Sequence, residues 1–285
     1  MTVITHEQAV EGAAAPGLND KYEPGPAFKR YKIAMPIAVL AVTAALGGVS
    51  SIIFPLTLQK LEFAKFFVGP DASVDLKQLS DLKAAIASGK VTPDVEQTRL
   101  IGLLAQYETA RASALSVGMT IVFALTMLVQ PIVGVLSDRT RSVWGRRAPW
   151  IASGAVLGAA AIMTLYLSTT IGLLIGAFSL VQLAVSLAQG PLNTTVADRV
   201  PADSLARVST LQGLGLMLGA LCGAIVTGQL YARIGITAVL PLAAFLLIGC
   251  FAFLRLAPDR SSMNNHAPKV SPWDMFRSLF SSLKD

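Results

Sequence analysis

Charged residues are absent from five blocks of the chain, 33–59, 112–137, 148–197, 208–232 and 234–254. A hydrocarbon core about 30 Å thick takes about 20 mostly apolar residues per helical crossing. Within lipid, only helices and closed barrels satisfy their own backbone polar groups. The ten-residue alternation of a barrel strand is missing, so the blocks read as helices. The block 148–197 is long enough for two crossings, with a turn near Leu167-Ser-Thr-Thr-Ile-Gly172. The expected fold class is therefore all-α, a polytopic membrane protein. Its six transmembrane helices are expected at about 33–58, 112–136, 149–168, 171–196, 208–232 and 235–255.

The segments between the blocks set organisation and orientation. Residues 1–32 form a polar tail with Pro16, Pro24, Gly25 and Pro26, and 33–256 the bundle. The first span is too long for a signal-peptide core. An insert at 60–111 follows it; Asp75 to Gly89 has helical spacing ending at a glycine, and Thr92-Pro-Asp begins a second helix that can run into span two. This insert is either a solvated decoration or a lid that binds a partner. Residues 257–285 form a connector ending in an amphipathic helix, with Trp273, Phe276 and Phe280 on one face after Ser271-Pro272. With the amino terminus inside, 15 of the 23 Lys and Arg fall on the cytoplasmic side. Seven more lie in the long insert, where they carry little topological weight. Both termini are then cytoplasmic, in a cell (plasma) membrane.

Composition narrows the chemistry. Of the 285 residues, 53% are hydrophobic and 14% charged, and the net charge of +6 is concentrated in the inner loops. Anionic lipid accounts for that charge, so no nucleic-acid partner is implied. The two histidines, His6 and His266, lie in the tails, which leaves no nucleophile–base pair and no metal cluster. The chain is not expected to be an enzyme. Cys222 and Cys250 sit inside spans as small packing residues. Gly215, Gly219 and Gly223 in span five, and Gly154 and Gly158 in span three, form small-residue faces for close helix contact.

One loop stands out between its uncharged neighbours: Gly134-Val-Leu-Ser-Asp138-Arg139-Thr-Arg-Ser-Val-Trp-Gly145-Arg146-Arg147. It resembles the signature loop of the major facilitator superfamily, G-x-x-x-D-R-x-x-x-x-x-G-R-R. Its Ser137-Asp-Arg-Thr-Arg-Ser form is similar to that of sucrose transporters and glycoside–pentoside–hexuronide symporters. Gln189-Gly-Pro-Leu-Asn193-Thr-Thr-Val-Ala-Asp198 resembles the fourth-span sucrose-transporter motif Q-G-P-x-R-A-L-x-A-D. The resemblance implies one half, a 3+3 repeat bundle, of a twelve-helix transporter, and an alternating-access cycle. It implies that the chain is the amino-terminal half of a longer protein or pairs with a second six-span chain; a non-transporting accessory or scaffold protein is the alternative. Gly134 is expected to admit a neighbouring helix. Asp138, Asp198, Arg139, Gly145, Arg146 and Arg147 share one interface layer, in which Arg146 or Arg147 bridges the two acids as a conformational lock; the alternative is that these arginines only fix topology.

Two uncharged stripes are candidate solute contacts. Ser179, Gln182, Ser186, Gln189 and Asn193 fall within about 80° of one another in span four, and Thr43, Ser50 and Thr57 line up in span one. Hydroxyls and amides that donate and accept at once suit a neutral sugar, although the same residues also serve interhelical hydrogen bonds. The expected substrate-binding set is Thr43, Ser50, Gln182, Ser186, Gln189 and Asn193. Asn193 stands where the resembling motif carries arginine. No ionisable residue lies mid-span, so no cofactor is expected and a coupling ion, proton or sodium, has no site in these helices.

Overall fold

A computed structural model describes residues 21–259. The first apolar block becomes one rod. Helix α1 (Pro26–Gly48) passes through a π-helical turn (Val49–Ile53) into α2 (Phe54–Phe66). The rod begins seven residues before the expected span because Phe28 and Tyr31 turn into the core while Lys29 and Arg30 stay exposed. At its far end α2 outlasts the uncharged block. Glu62 is buried there, and the ring of Phe63 stacks on that of Phe67 at 4.7 Å.

A short 3-10 turn (Gly69–Ser73) leads to α3 (Leu76–Ala87), whose first turn is capped by Asp75 accepting from the Lys77 amide at 2.8 Å. Helix α4 (Val95–Arg139) opens on a capping box between Asp94 and Gln97 and runs unbroken for 45 residues. The second helix of the insert and the second apolar block are thus one element. Phe67, Leu79, Leu104 and Tyr107 bind α2, α3 and α4 into a small satellite core.

The remaining helices are α5 (Ala148–Tyr166), α6 (Ile171–Arg199), α7 (Ala202–Ile234) and α8 (Val239–Leu256), with a 3-10 turn (Gly235–Ala238) before α8. The turn expected near 167–172 lies between α5 and α6, where Thr170 caps α6. By length and hydropathy, five stretches among the described residues are able to cross a membrane; the last, Ala202–Leu256, is 55 residues long and contains α7 and α8 together. The chain reverses within it at Gly235, whose φ of 62° favours glycine. Gly215, Gly219 and Gly223 of α7 meet Pro36, Leu40 and Ala44 of α1 in rising order, so these helices run parallel. Leu242 lies beside Gly48, Gly249 beside Ala41, and Phe253 against Tyr31, so α8 runs the opposite way.

That glycine stripe explains how α1 and α7 come together. A Cβ on Gly215 would sit 2.7 Å from the Pro36 carbonyl oxygen, and one on Gly219 would sit 2.6 Å from that of Leu40. In lipid, where apolar surface gives no drive to associate, such backbone contact is what holds helices. On the other side, α5 lies along α6 through Gly154 at Ala188 and Gly158 at Val185. Phe54 of α2 stacks on Phe178 of α6 at 4.3 Å, and Tyr31 of α1 shares a 2.9 Å hydrogen bond with Thr195 of α6. Cys250 is buried and Cys222 exposed, and both are unpaired. The expected amphipathic helix near 271–285 and most of the amino-terminal tail lie outside the described residues.

Candidate functional site

Helices α1, α4, α6 and α7, with the π-helical turn, line an open cavity of about 350 Å3. Its polar lining comes from Thr43, Ser50 and Ser51 on the rod and from Gln182 and Gln189 on α6. Met119, Val122, Phe123 and Phe178 form apolar walls, and no lining residue is charged. The two glutamines are half-buried, and neither side-chain amide has a hydrogen-bond partner among the described residues. The hydroxyls are already engaged: Thr43 donates to the Val39 carbonyl at 2.7 Å and Ser50 to that of Leu46 at 2.7 Å. Each retains acceptor capacity toward the cavity.

Two of the six expected contacts are used elsewhere. Ser186 is 1% exposed and donates to the Gln182 carbonyl at 2.7 Å, so it ties its own helix and does not line the cavity. Asn193 accepts from the Gln212 amide at 3.0 Å, joining α6 to α7 outside the lining. The third residue of the rod's stripe, Thr57, is buried and also off the cavity. The π-turn at 49–53 supplies the reason, because its i→i+5 bonding shifts the helical phase by about one residue. A stripe spaced for an α-helix fails beyond Ser50.

At the end of the bundle opposite the insert lies an ion-pair layer. Arg147, at the start of α5, is 5% exposed. Its guanidinium donates to Asp198 of α6 at 2.6 Å, pairs with Asp138 of α4 at 3.0 Å, and reaches the Ser137 hydroxyl at 3.5 Å. Arg146 holds Asp198 from a second side at 2.8 Å. One buried cation therefore joins three helices. The Asp138 side chain is 54% exposed against 21% for Asp198, which makes Asp198 the stronger partner. Arg139 closes α4 in the same layer.

Sequence reasoning missed the third acid. Asp259, just beyond α8, accepts from the Arg147 backbone N–H at 3.0 Å and pairs with Arg199. It sits directly on Gly145, whose φ of 95° and lack of a side chain make room for it. Arg199 also donates to the Tyr22 hydroxyl at 3.2 Å and lies over that ring at 5.8 Å. The signal available was an isolated acid immediately after the last apolar block. Among the described residues no atom of another element would lie within 4 Å of a Cβ on Gly134, so none of them supplies the neighbouring helix expected there. The Gly134 carbonyl instead accepts from Ser137 at 2.8 Å.

Comparison with known proteins matches residues 100–283 to the model of the Major Facilitator Superfamily. Over 50 residues the chain is 48% identical to Sucrose transport protein SUT1 of Oryza sativa subsp. japonica, a stretch covering 18% of this chain and 9% of that protein. Over 125 residues it is 34% identical to Sucrose transport protein SUT2 of Oryza sativa subsp. indica, covering 34% and 25%. An uncharacterized symporter of Synechocystis sp. is 65% identical over 26 residues, covering 9% and 5%. These matched stretches span no more than a quarter of those relatives' own lengths.

Proposed function

The chain belongs to the major facilitator superfamily, and from that premise we propose that it forms one six-helix wall of a transporter that carries a small neutral sugar or glycoside across a membrane. The observation that carries the substrate class is the cavity's paired amides. Gln182 and Gln189 each offer donor and acceptor groups without a partner among the described residues, in a recess whose lining carries no charged side chain. A hydroxyl-rich neutral solute satisfies such groups, whereas an ion would enter without a countercharge. The names of the rice relatives point the same way.

Counted separately, the antiparallel α7 and α8 bring the crossings to six, in a 3+3 arrangement. With both tails cytoplasmic in the plasma membrane, the ion-pair layer forms the inner mouth. Arg147 and Arg146 bridge α4, α5 and α6 there in one state of an alternating-access cycle and release them in the other. A second six-helix unit supplies the facing wall, either as the carboxyl half of a longer chain or as a separate one. Apolar side chains that find no partner within this bundle support it, among them Met127 at 79% exposure on α4 and Met217 at 66% on α7. Any coupling ion, proton or sodium, is held outside this cavity's lining.

The test is uptake of labelled sucrose, maltose and a β-glucoside into vesicles at two external pH values. The chain is reconstituted alone and with a six-helix partner. Saccharide flux that falls on substitution of Gln182 or Gln189 supports the proposal. Absence of flux in every combination, with the chain still folded, turns the reading to a non-transporting accessory protein.

A further inference from the structure

A second recess, mostly apolar with a few polar groups, lies beside the insert, at the end of the bundle remote from the ion pairs. It measures about 440 Å3 and is bounded by α2, the end of α7 and the first residues of α3. Tyr231 forms part of its floor. That residue is only 7% exposed, and its hydroxyl is buried without a hydrogen-bond partner. Gln59, on the α2 wall, also has no side-chain partner among the described residues. The Lys60 ammonium stands 4.8 Å from the centre of the Tyr231 ring. Across the recess, Asp75 accepts from the Lys77 amide at 2.8 Å through one carboxylate oxygen.

We propose that this recess is a second saccharide-binding subsite, distinct from the central cavity and walled on one side by the insert. The choice of a sugar rests on the proposed function; the existence of a site rests on the recess itself. A buried phenol without a partner carries an uncompensated desolvation cost, and a ligand hydroxyl that reaches it from the recess, as the ring shifts, removes that cost. Lys60 and Asp75 carry opposite charges, so the pair favours a neutral ligand over either ion. Gln59 donates and accepts together, which matches vicinal hydroxyls. Leu56, Phe63 and Leu76 provide the apolar surface that a sugar's C–H face packs against. Tyr231 lies eleven residues along α7 from Ala220 of the central cavity, roughly 16 Å at 1.5 Å per residue. A single small sugar does not reach both places. The insert then has a role beyond decoration, because Val74, Asp75 and Leu76 complete the recess.

Hydrogen exchange of the full chain in detergent, read by mass spectrometry across a sucrose titration, tests the assignment. Sucrose is expected to protect segments 56–63, 74–76 and 228–234 as well as 43–51 and 178–189. Tyr231→Phe keeps the ring and the packing, and is expected to weaken protection of the first group about fivefold to tenfold. Gln59→Leu does the same by an independent route, while Gln182→Ala leaves that group unchanged and weakens the second. Three outcomes overturn the subsite and leave the central site standing: no protection under the insert, protection that disappears with Gln182→Ala, or protection indifferent to both outer variants. If neither group responds and equilibrium dialysis finds no bound sucrose, the sugar reading itself fails, and this subsite with it.

Discussion

Asp198→Asn is the most informative single change at the ion-pair layer. The carboxylate receives Arg147 at 2.6 Å and Arg146 at 2.8 Å, with Arg147 buried to 5% exposure. Breaking a buried pair by removing one partner costs about 3–5 kcal/mol, since the remaining charge stays buried. Arg147 keeps Asp138 at 3.0 Å, so the cost falls below that range, to about 2–3 kcal/mol. That corresponds to a shift of roughly 30- to 150-fold in the opening of this end of the bundle. Asp138→Asn removes a partner whose side chain is 54% exposed, and is expected to cost about 0–1 kcal/mol, or at most fivefold. The assay is hydrogen exchange over residues 134–151 and 195–200 of the intact chain. Asp198→Asn should speed exchange in both segments by the larger factor and Asp138→Asn by the smaller. Equal effects of the two variants, or no effect of Asp198→Asn, refute the idea that Arg147 is the buried bridge.

Three further outcomes follow from the same geometry. Gly219→Val forces a Cβ to within 2.6 Å of the Leu40 carbonyl oxygen; α1 and α7 must separate, and a stability loss of at least about 1–3 kcal/mol should appear as a lowered Tm in detergent. Gln182→Leu and Gln189→Leu remove amides with no protein partner, so Tm should stay within about 2 °C of the parent while solute binding falls, by calorimetry, about tenfold. At the insert, Arg99 hydrogen-bonds Asp71 at 2.7 Å and holds its carboxyl below the ordinary value of 3.8. A lowered carboxyl stabilises the folded form above its unfolded pKa and loses that contribution as pH falls through the lowered value. The tie between the turn Gly69–Ser73 and α4 should therefore be intact at neutral pH and open only below about pH 4, read as faster exchange of residues 69–76; opening near pH 6 contradicts this.

The membrane-embedded architecture was legible because charge marks its boundaries. Between Arg147 and Asp198 no charge interrupts α5 and α6, and the turn between them falls at the Ser168-Thr169-Thr170 stretch. What remained hidden was decided by tertiary contact. Helix α2 continues past Lys60 because the edge of Tyr107 meets the rings of Phe63, Phe66 and Phe67. Such a contact links residues some forty positions apart and leaves no local periodic signal. The π-turn is equally silent in the pattern, yet it decides that Thr43 and Ser50 face the cavity while Thr57 does not. A helical stripe also does not reveal whether a hydroxyl is spent on its own backbone, as Ser186 is, or an amide on a neighbour, as Asn193 is. At the ion-pair layer the loop motif indicated the arginines, but Asp259 belongs to a different apolar block and reaches Gly145 only in the fold.

The place of Asn193 suggests why the charges and the amides are kept apart. In the sucrose-transporter motif that position carries arginine, while here the side chain is held by Gln212. Asn193 lies one turn from Gln189, outside the lining, and an arginine there would set a charge beside a cavity whose lining offers no acid. Neutral amides can bind hydroxyls at similar free energy whichever end of the bundle is open, so they recognise the solute without biasing the equilibrium between states. Arg147 with its acids behaves oppositely, because its energy depends on whether water reaches it. A ligand or contact shifts a conformational equilibrium only through a difference between its two states. On the proposed function, recognition therefore falls to groups that are indifferent to the rocking motion, and switching falls to a charged layer at the rim. The arrangement requires that substitutions at Gln182 and Gln189 change solute affinity without changing the exchange rate of residues 134–151, and that Asp198→Asn do the reverse.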